Sequence, residues 1–144
     1  MTQQAATPTL TKMTTTSETA LRDWALLATR LVIVFVFLWH GFPKALDFAA
    51  ATAKFEGFGL PGILGPIIGW AEVVLGLMIL VGFKYRLATA ALAIIIIGAL
   101  VTVQIPAGGV TAGLERDLLI LVATLVMIAY GPGRFALDNA NSNA

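Results

Sequence analysis

The sequence contains no cysteine, one histidine and few charged residues. Of its 144 residues, 9 are Lys or Arg and 8 are Asp or Glu, so that 12% are charged and the formal net charge is +1. Soluble domains typically contain about 25% charged residues. The lack of cysteine excludes intrachain disulfides, a dithiol redox centre and cysteine-ligated clusters. One histidine and a low positive charge indicate neither a metal site nor a nucleic-acid partner, and we predict none.

Hydrophobic residues, in contrast, make up 58% of the chain and are grouped in four long segments. The segments are residues 25–42, 63–83, 87–105 and 113–130. Each is close to the roughly 20 residues with which a helix crosses about 30 Å of hydrocarbon. The sequence therefore predicts an all-α integral membrane protein, a four-helix transmembrane bundle in the lipid bilayer of the inner (plasma) membrane.

The segments suggest a single transmembrane domain, residues 23–138, with helices at about 24–42, 63–83, 87–105 and 113–130. The polar residues 1–22 are expected to form a disordered tail, and residues 139–144 a short C-terminal tail. Pro43 should end or kink the first helix, because a proline disfavours helical geometry in the residue before it. The amphipathic residues 44–55 then predict a short helix at the membrane interface. A signal peptide cleaved near Ala51 is disfavoured, because its leader would be long and further apolar segments follow.

The distribution of Lys and Arg predicts the orientation in the membrane. The side that holds both termini and the loop between the second and third segments carries more of these residues than the opposite side. The first group is Lys12, Arg22, Arg30, Lys84, Arg86 and Arg134, and the second is Lys44, Lys54 and Arg116. We therefore expect both termini in the cytoplasm.

The second apolar segment contains a carboxylate in a row of glycines. Gly65, Gly69, Glu72 and Gly76 follow one another at steps of four, three and four, which places them on one face of a helix. Small residues let membrane helices approach closely, so this face is expected to pack against a neighbour. Glu72 should then lie inside the bundle, since a charge at bilayer depth costs on the order of 3 kcal/mol.

The predicted topology brings polar residues from all four helices to the outer end of the bundle. The candidates for ligand binding or proton relay are His40, Lys44, Glu72, Gln104 and Glu115. Arg30 and Arg116 are candidates for structural ion pairs. Arg30 would either extend towards the interface or reach inward to Glu72, where it would tie the first two transmembrane helices together.

At these residues the chain resembles the DoxX family of small four-helix membrane proteins. The resemblance covers about residues 25–138, and it depends on the order and spacing of several short motifs. These are Arg30-Leu31 through Phe37-Leu38, His40-Gly41 with Lys44, Gly69-Trp70-Ala71-Glu72 through Gly76, Leu80-Val81-Gly82, Tyr85-Arg86-Leu87-Ala88, Glu115, Gly131-Pro132-Gly133-Arg134 and Leu137-Asp138.

The resemblance implies a four-helix membrane bundle and, more loosely, a role in redox chemistry. Some members of the family are subunits of a thiosulfate:quinone oxidoreductase, and others are linked to oxidative-stress complexes. This chain lacks a redox dithiol, and it has Gln104 where relatives often have histidine. Both departures argue against direct redox chemistry by this protein.

Three functions remain open at this point. The first is a non-catalytic subunit that binds a quinone or a similar lipophile and supports a redox protein partner. The second is a structural or assembly partner without chemistry of its own, for instance as a homo-oligomer. The intramembrane Glu72 also allows a small transporter or proton pathway, although no segment is interrupted in the middle, as transporter sites typically are.

Overall fold

The computed structural model describes residues 8–108 and 110–138. Within these residues the regular structure is entirely helical, so the predicted all-α class is confirmed. The helices are α1 (Pro8–Leu46), α2 (Phe48–Gly57), α3 (Leu64–Val81), α4 (Tyr85–Ala99) and α5 (Ala112–Tyr130), and a π-helical turn, Leu100–Gln104, continues α4.

The four long helices form a ring around a common apolar core. α1 packs on α3, α3 on α4, α4 on α5 and α5 on α1, while the short α2 lies against α3 and α1. Each long helix contributes fully or nearly fully buried side chains to the core, for example Phe37, Ile79, Leu92 and Met127. The order of the helices around the ring follows the order of the apolar segments in the sequence.

Three helices in the described part of the chain are long and apolar enough to cross a membrane, where the sequence predicted four. They are Glu18–Leu46 within α1, Leu64–Val81, and Tyr85–Gln104 including the π turn. Only 33–39% of each segment is buried, which leaves broad apolar faces for lipid. α5 does not qualify, because Glu115, Arg116 and Asp117 lie in its first two turns and leave only residues 118–130 free of charge.

α5 nevertheless runs along the whole bundle. Near its start, Asp117 accepts a hydrogen bond from Gln104 at the end of the π turn. Beyond its end, Asp138 binds the backbone at Lys84 and Tyr85, where α4 begins. α5 is therefore antiparallel to α4 and, at about 28 Å for 19 residues, about as long as α4 together with its π turn.

α1 extends beyond both ends of the first helix that the sequence predicts. The helix begins at Pro8, so that residues 8–22 are helical and the tail predicted as disordered is not; residues 1–7 lie outside the described residues. Pro8 is compatible with a helix start, where its missing N–H would have no partner in any case. Pro43 does not end the helix either: its carbonyl accepts a 3.0 Å hydrogen bond from Asp47 N, and the helical turn continues to Leu46.

The short helix predicted for residues 44–55 is present as α2, although it starts later than expected, and its position at the membrane interface stays a prediction. Asp47 separates it from α1 and caps its N-terminus, since the carboxylate accepts a 2.9 Å hydrogen bond from Ala50 N. Such caps contribute about 1 kcal/mol. Ala51 and Phe55 form its buried side.

The segment after α5 closes the other end of the bundle. Gly131 ends the helix with a φ of 78°. Asp138 Oδ1 and Oδ2 then accept hydrogen bonds of 3.0 Å and 2.8 Å from the backbone N–H groups of Lys84 and Tyr85. The cap of α4 therefore comes from a residue more than 50 positions away in the sequence. The predicted C-terminal tail, residues 139–144, lies outside the described residues.

Candidate functional site

Lys44 and Glu72 form an ion pair between α1 and α3. Lys44 Nζ lies 2.5 Å from Glu72 Oε2, and the side chains are 20% and 7% exposed. The carboxylate oxygen Oε2 is buried, and the ammonium group of Lys44 is the cation that faces it. Glu72 lies inside the bundle, so its carboxylate does not face lipid.

Glycines make this pairing possible, because they bring the two helix backbones together. A Cβ atom added to Gly69 would lie 2.6 Å from Lys44 Cβ and 2.7 Å from Ala45 N, closer than atoms can pack. On the facing helix, a Cβ added to Gly41 would lie 3.0 Å from Glu72 Cβ. Gly76 is also buried, but a Cβ there would meet Leu38 at an ordinary 3.5 Å.

A second polar group lies where the π turn meets α5. Gln104 Nε2 donates a 2.9 Å hydrogen bond to Asp117 Oδ2, and Arg116 Nε donates one of 2.9 Å to Oδ1 of the same carboxylate. Asp117 is only 3% exposed. Both of its oxygens are thus occupied, and the carboxylate is held rigidly at the end of the bundle.

The π turn decides where Gln104 points. Ile105 N donates to Leu100 O at 2.9 Å, a bond that spans five residues instead of four. One turn of this kind rotates the following side chains relative to a regular helix, and such turns are frequent at functional sites. The amide of Gln104 packs against Gly113, where an added Cβ would come within 2.6 Å of Oε1.

A cavity of about 730 Å³ lies between the two polar groups. This volume is within the usual range for small-molecule sites, roughly 300–1,000 Å³. Its walls are mostly apolar and come from all five helices, with Phe37, Ile68 and Ile95 among the lining residues. Its polar and charged lining residues are His40, Lys44, Lys54, Glu72, Thr102, Gln104, Arg116 and Asp117.

Four of the five residues proposed from sequence for ligand binding or proton relay line this cavity. They are His40, Lys44, Glu72 and Gln104. His40 is itself exposed and interacts electrostatically with Lys44, Arg116 and Asp117. Glu115 is also exposed but does not line the cavity. Their roles remain predictions, but all except Glu115 line one cavity.

Sequence reasoning overlooked Asp117, which takes the position expected for Glu115. The signal was present in part, because Asp117 shares a helical face with the buried Ile120, Thr124 and Met127. Residues two apart on a helix point in nearly opposite directions, so Glu115 and Asp117 cannot both face inward.

The two arginines proposed for ion pairs behave differently. Arg116 pairs with its neighbour Asp117. Arg30 does not reach Glu72: it is 3% exposed near the opposite end of the bundle, where Nη1 and Nη2 donate to the carbonyls of Pro132 and Phe135 at 3.3 Å and 2.9 Å. It therefore ties α1 to the segment after α5 rather than to α3.

The described residues contain no group of three or more His, Asp or Glu side chains that could hold a metal ion. Fold and cavity together define a small helical membrane protein with a polar cluster at one end of an apolar bundle. The DoxX family model matches residues 25–105, and the chain belongs to the DoxX family. The resemblance described from the sequence motifs is thus confirmed.

Two relatives match over most of their length. The membrane protein Rv3486 of Mycobacterium tuberculosis, described as uncharacterized, is 28% identical over 129 residues, or 79% of each chain. A Bacillus subtilis protein with the name "Putative oxidoreductase CatD" is 27% identical over 112 residues, or 78% of this chain and 83% of its own. No solved structure matches the chain.

Proposed function

We propose that this protein binds a quinone or a similar lipophilic carbonyl compound in the bundle cavity and supports a membrane redox complex as a non-catalytic subunit. The single observation that carries the proposal is the cavity of about 730 Å³, apolar over most of its surface and polar at one end. A hydrophobic molecule with a polar ring needs a site of this shape.

The polar groups suit both redox forms of such a ligand. Lys44, Arg116 and His40 carry N–H groups that can donate to carbonyl oxygens. The Glu72 carboxylate is paired with Lys44 through Oε2, but a carboxylate can accept several hydrogen bonds, so it can accept a further one from a hydroxyl. When bound, a quinone would supply the electron-carrying chemistry, which the side chains themselves do not provide.

The surroundings of the protein follow from the same reasoning. We place it in the inner membrane with both termini in the cytoplasm, because more Lys and Arg residues lie on that side. A redox protein partner would exchange electrons with the bound ligand. The name of the Bacillus subtilis relative includes the word oxidoreductase, which supports a connection with redox chemistry.

A binding measurement on the purified protein tests this proposal. Decylubiquinone, in its oxidised and its reduced form, is titrated into wild-type protein, the Glu72→Gln variant and the Glu115→Gln variant, and the dissociation constants are compared. Glu72→Gln retains the shape of the side chain but removes its charge and its pairing with Lys44. We expect the reduced form, which carries hydroxyl groups, to bind Glu72→Gln about tenfold more weakly than wild type, since hydrogen bonds to charged groups contribute roughly 1.5–3 kcal/mol and a neutral amide oxygen is a weaker acceptor.

Glu115→Gln is the matched control, because Glu115 is an exposed carboxylate at the same end that does not line the cavity. Its affinity should equal that of the wild type. Lack of saturable binding by wild-type protein, or equal affinities for all three proteins, would refute the proposal.

A structural or assembly role is the second candidate, and the Lys44–Glu72 pair favours it because the pair links α1 to α3. In that case Glu72→Gln should lower the unfolding temperature, and wild-type protein should not bind decylubiquinone. Removal of one partner of a buried ion pair typically costs about 3–5 kcal/mol.

A further inference from the structure

We infer that the ligand enters the cavity laterally from the bilayer, past the exposed face of α4. We also infer that this ligand is a lipophile whose head group carries hydrogen-bond acceptor oxygens. This inference rests on the proposed function, because it specifies the route and the orientation of that ligand. Three features of the structure support it: an opening on the apolar surface, a cover on the opposite side, and an excess of hydrogen-bond donors.

The cavity opens on the apolar surface of the bundle. Trp39 and Ile94 line it and are also 67% and 69% exposed. Gly98 lines it as well, is exposed, and an added Cβ there would meet nothing within 4 Å. These residues lie in helices that qualify as membrane spans. The cavity is therefore continuous with a surface that faces acyl chains.

α2 covers the cavity at the interface. Its buried side rests on α3 with no space to spare, since a Cβ added to Gly65 would overlap the carbonyl of Ala51. Phe55 is 9% exposed and meets the ring of Phe58 edge-on, with centroids 6.3 Å apart. Both rings line the cavity. A ligand that came through this side would have to pass the rings of Phe55 and Phe58, whereas an added Cβ at Gly98 meets nothing within 4 Å.

The donors in the cavity outnumber the free acceptors. Asp117 already accepts from Gln104 and Arg116, and Glu72 is paired with Lys44. An ammonium group has three donors and a guanidinium group five, so Lys44 and Arg116 retain N–H groups beyond those contacts. A head group with carbonyl oxygens matches this excess.

The length of the cavity fixes the orientation of the ligand. Its lining extends along α4 and the π turn from Ile94 to Gln104, about 15 Å at 1.5 Å per residue. The polar residues lie at the Gln104 end and apolar residues at the Ile94 end. The head therefore lies between Lys44 and Gln104, and the tail leaves the protein near Ile94 and Gly98.

Photolabelling of the full chain in nanodiscs tests this route. The probe is a decylubiquinone derivative with a diazirine at the end of its alkyl chain, and the labelled residues are identified by mass spectrometry. We expect labels on α4 around Ile94 and Gly98 that unlabelled decylubiquinone competes away. Labels concentrated on α2 would refute the lateral route, even if decylubiquinone itself binds.

Two variants distinguish the route from mere proximity. Gly98→Phe places a ring in the opening and should reduce competed labelling about tenfold. Ile97→Phe adds a ring one residue away, on an exposed position outside the cavity lining, and should label like wild type. Equal labelling of both variants would refute the opening at Gly98. Failure of wild-type protein to bind decylubiquinone at all would instead refute the proposed function.

Discussion

Replacing Gly69 by alanine would force α3 away from α1 at the point where Lys44 and Glu72 meet. The new Cβ would lie 2.6 Å from Lys44 Cβ and 2.7 Å from Ala45 N. Carbon atoms pack best at about 3.5–4.0 Å, so the backbones must separate by roughly 1 Å. The nearest atoms include backbone atoms, which cannot turn aside as the end of a side chain can.

The magnitude follows from two opposing effects. Overpacking typically costs about 1–3 kcal/mol. Alanine in place of glycine stabilises the helix itself by about 1 kcal/mol, because alanine has the higher helix propensity. Gly98→Ala gives the second effect alone, because a Cβ at Gly98 meets nothing within 4 Å. Gly69→Ala should therefore be less stable than Gly98→Ala by about 1–3 kcal/mol.

Thermal unfolding in detergent, followed by tryptophan fluorescence, measures this difference. The chain has three tryptophans and no cysteine, so intrinsic fluorescence serves where thiol-reactive dyes do not. We expect the unfolding temperature of Gly69→Ala to lie below that of Gly98→Ala, by about 2–4 °C for each kcal/mol of difference in the free energy of unfolding. Gly76→Ala should resemble Gly98→Ala, because the new Cβ would contact Leu38 at an ordinary 3.5 Å. Equal unfolding temperatures for all three variants would refute the tight packing at Gly69.

Two further predictions concern the opposite end of the bundle. Asp138→Ala removes the carboxylate that accepts from the backbone N–H groups of Lys84 and Tyr85 at the start of α4, and it should lower the free energy of unfolding by about 1 kcal/mol in the same assay. An unchanged unfolding temperature would refute a stabilising cap at this position. Reporter fusions to both termini should be active in the cytoplasm, and periplasmic activity of either fusion would refute the predicted orientation.

Pro43 and Arg30 are two positions at which tertiary structure, and not a local sequence rule, determines the observed conformation. Pro43 was expected to end or kink the first helix, yet the helical turn continues to Leu46, because the missing N–H removes only one hydrogen bond while Lys44 and Ala45 still pack on Gly69. From the sequence, Arg30 was expected either to extend towards the interface or to reach inward to Glu72. Only the folded chain brings the carbonyls of Pro132 and Phe135, about 100 residues away, to its guanidinium.

The sequence alone determined the class of the protein, its apolar segments and the inward face of α3. Those features depend on composition and on local spacing, and glycines beside Glu72 mark an interior even without contacts. The sequence could not distinguish Glu115 from Asp117, nor predict the π turn. In a membrane helix the side that faces lipid is as apolar as the side that faces the core, as Leu119 and Ile120 on α5 illustrate. Hydrophobic periodicity therefore fades, and packing against α4 decides which side of α5 is buried.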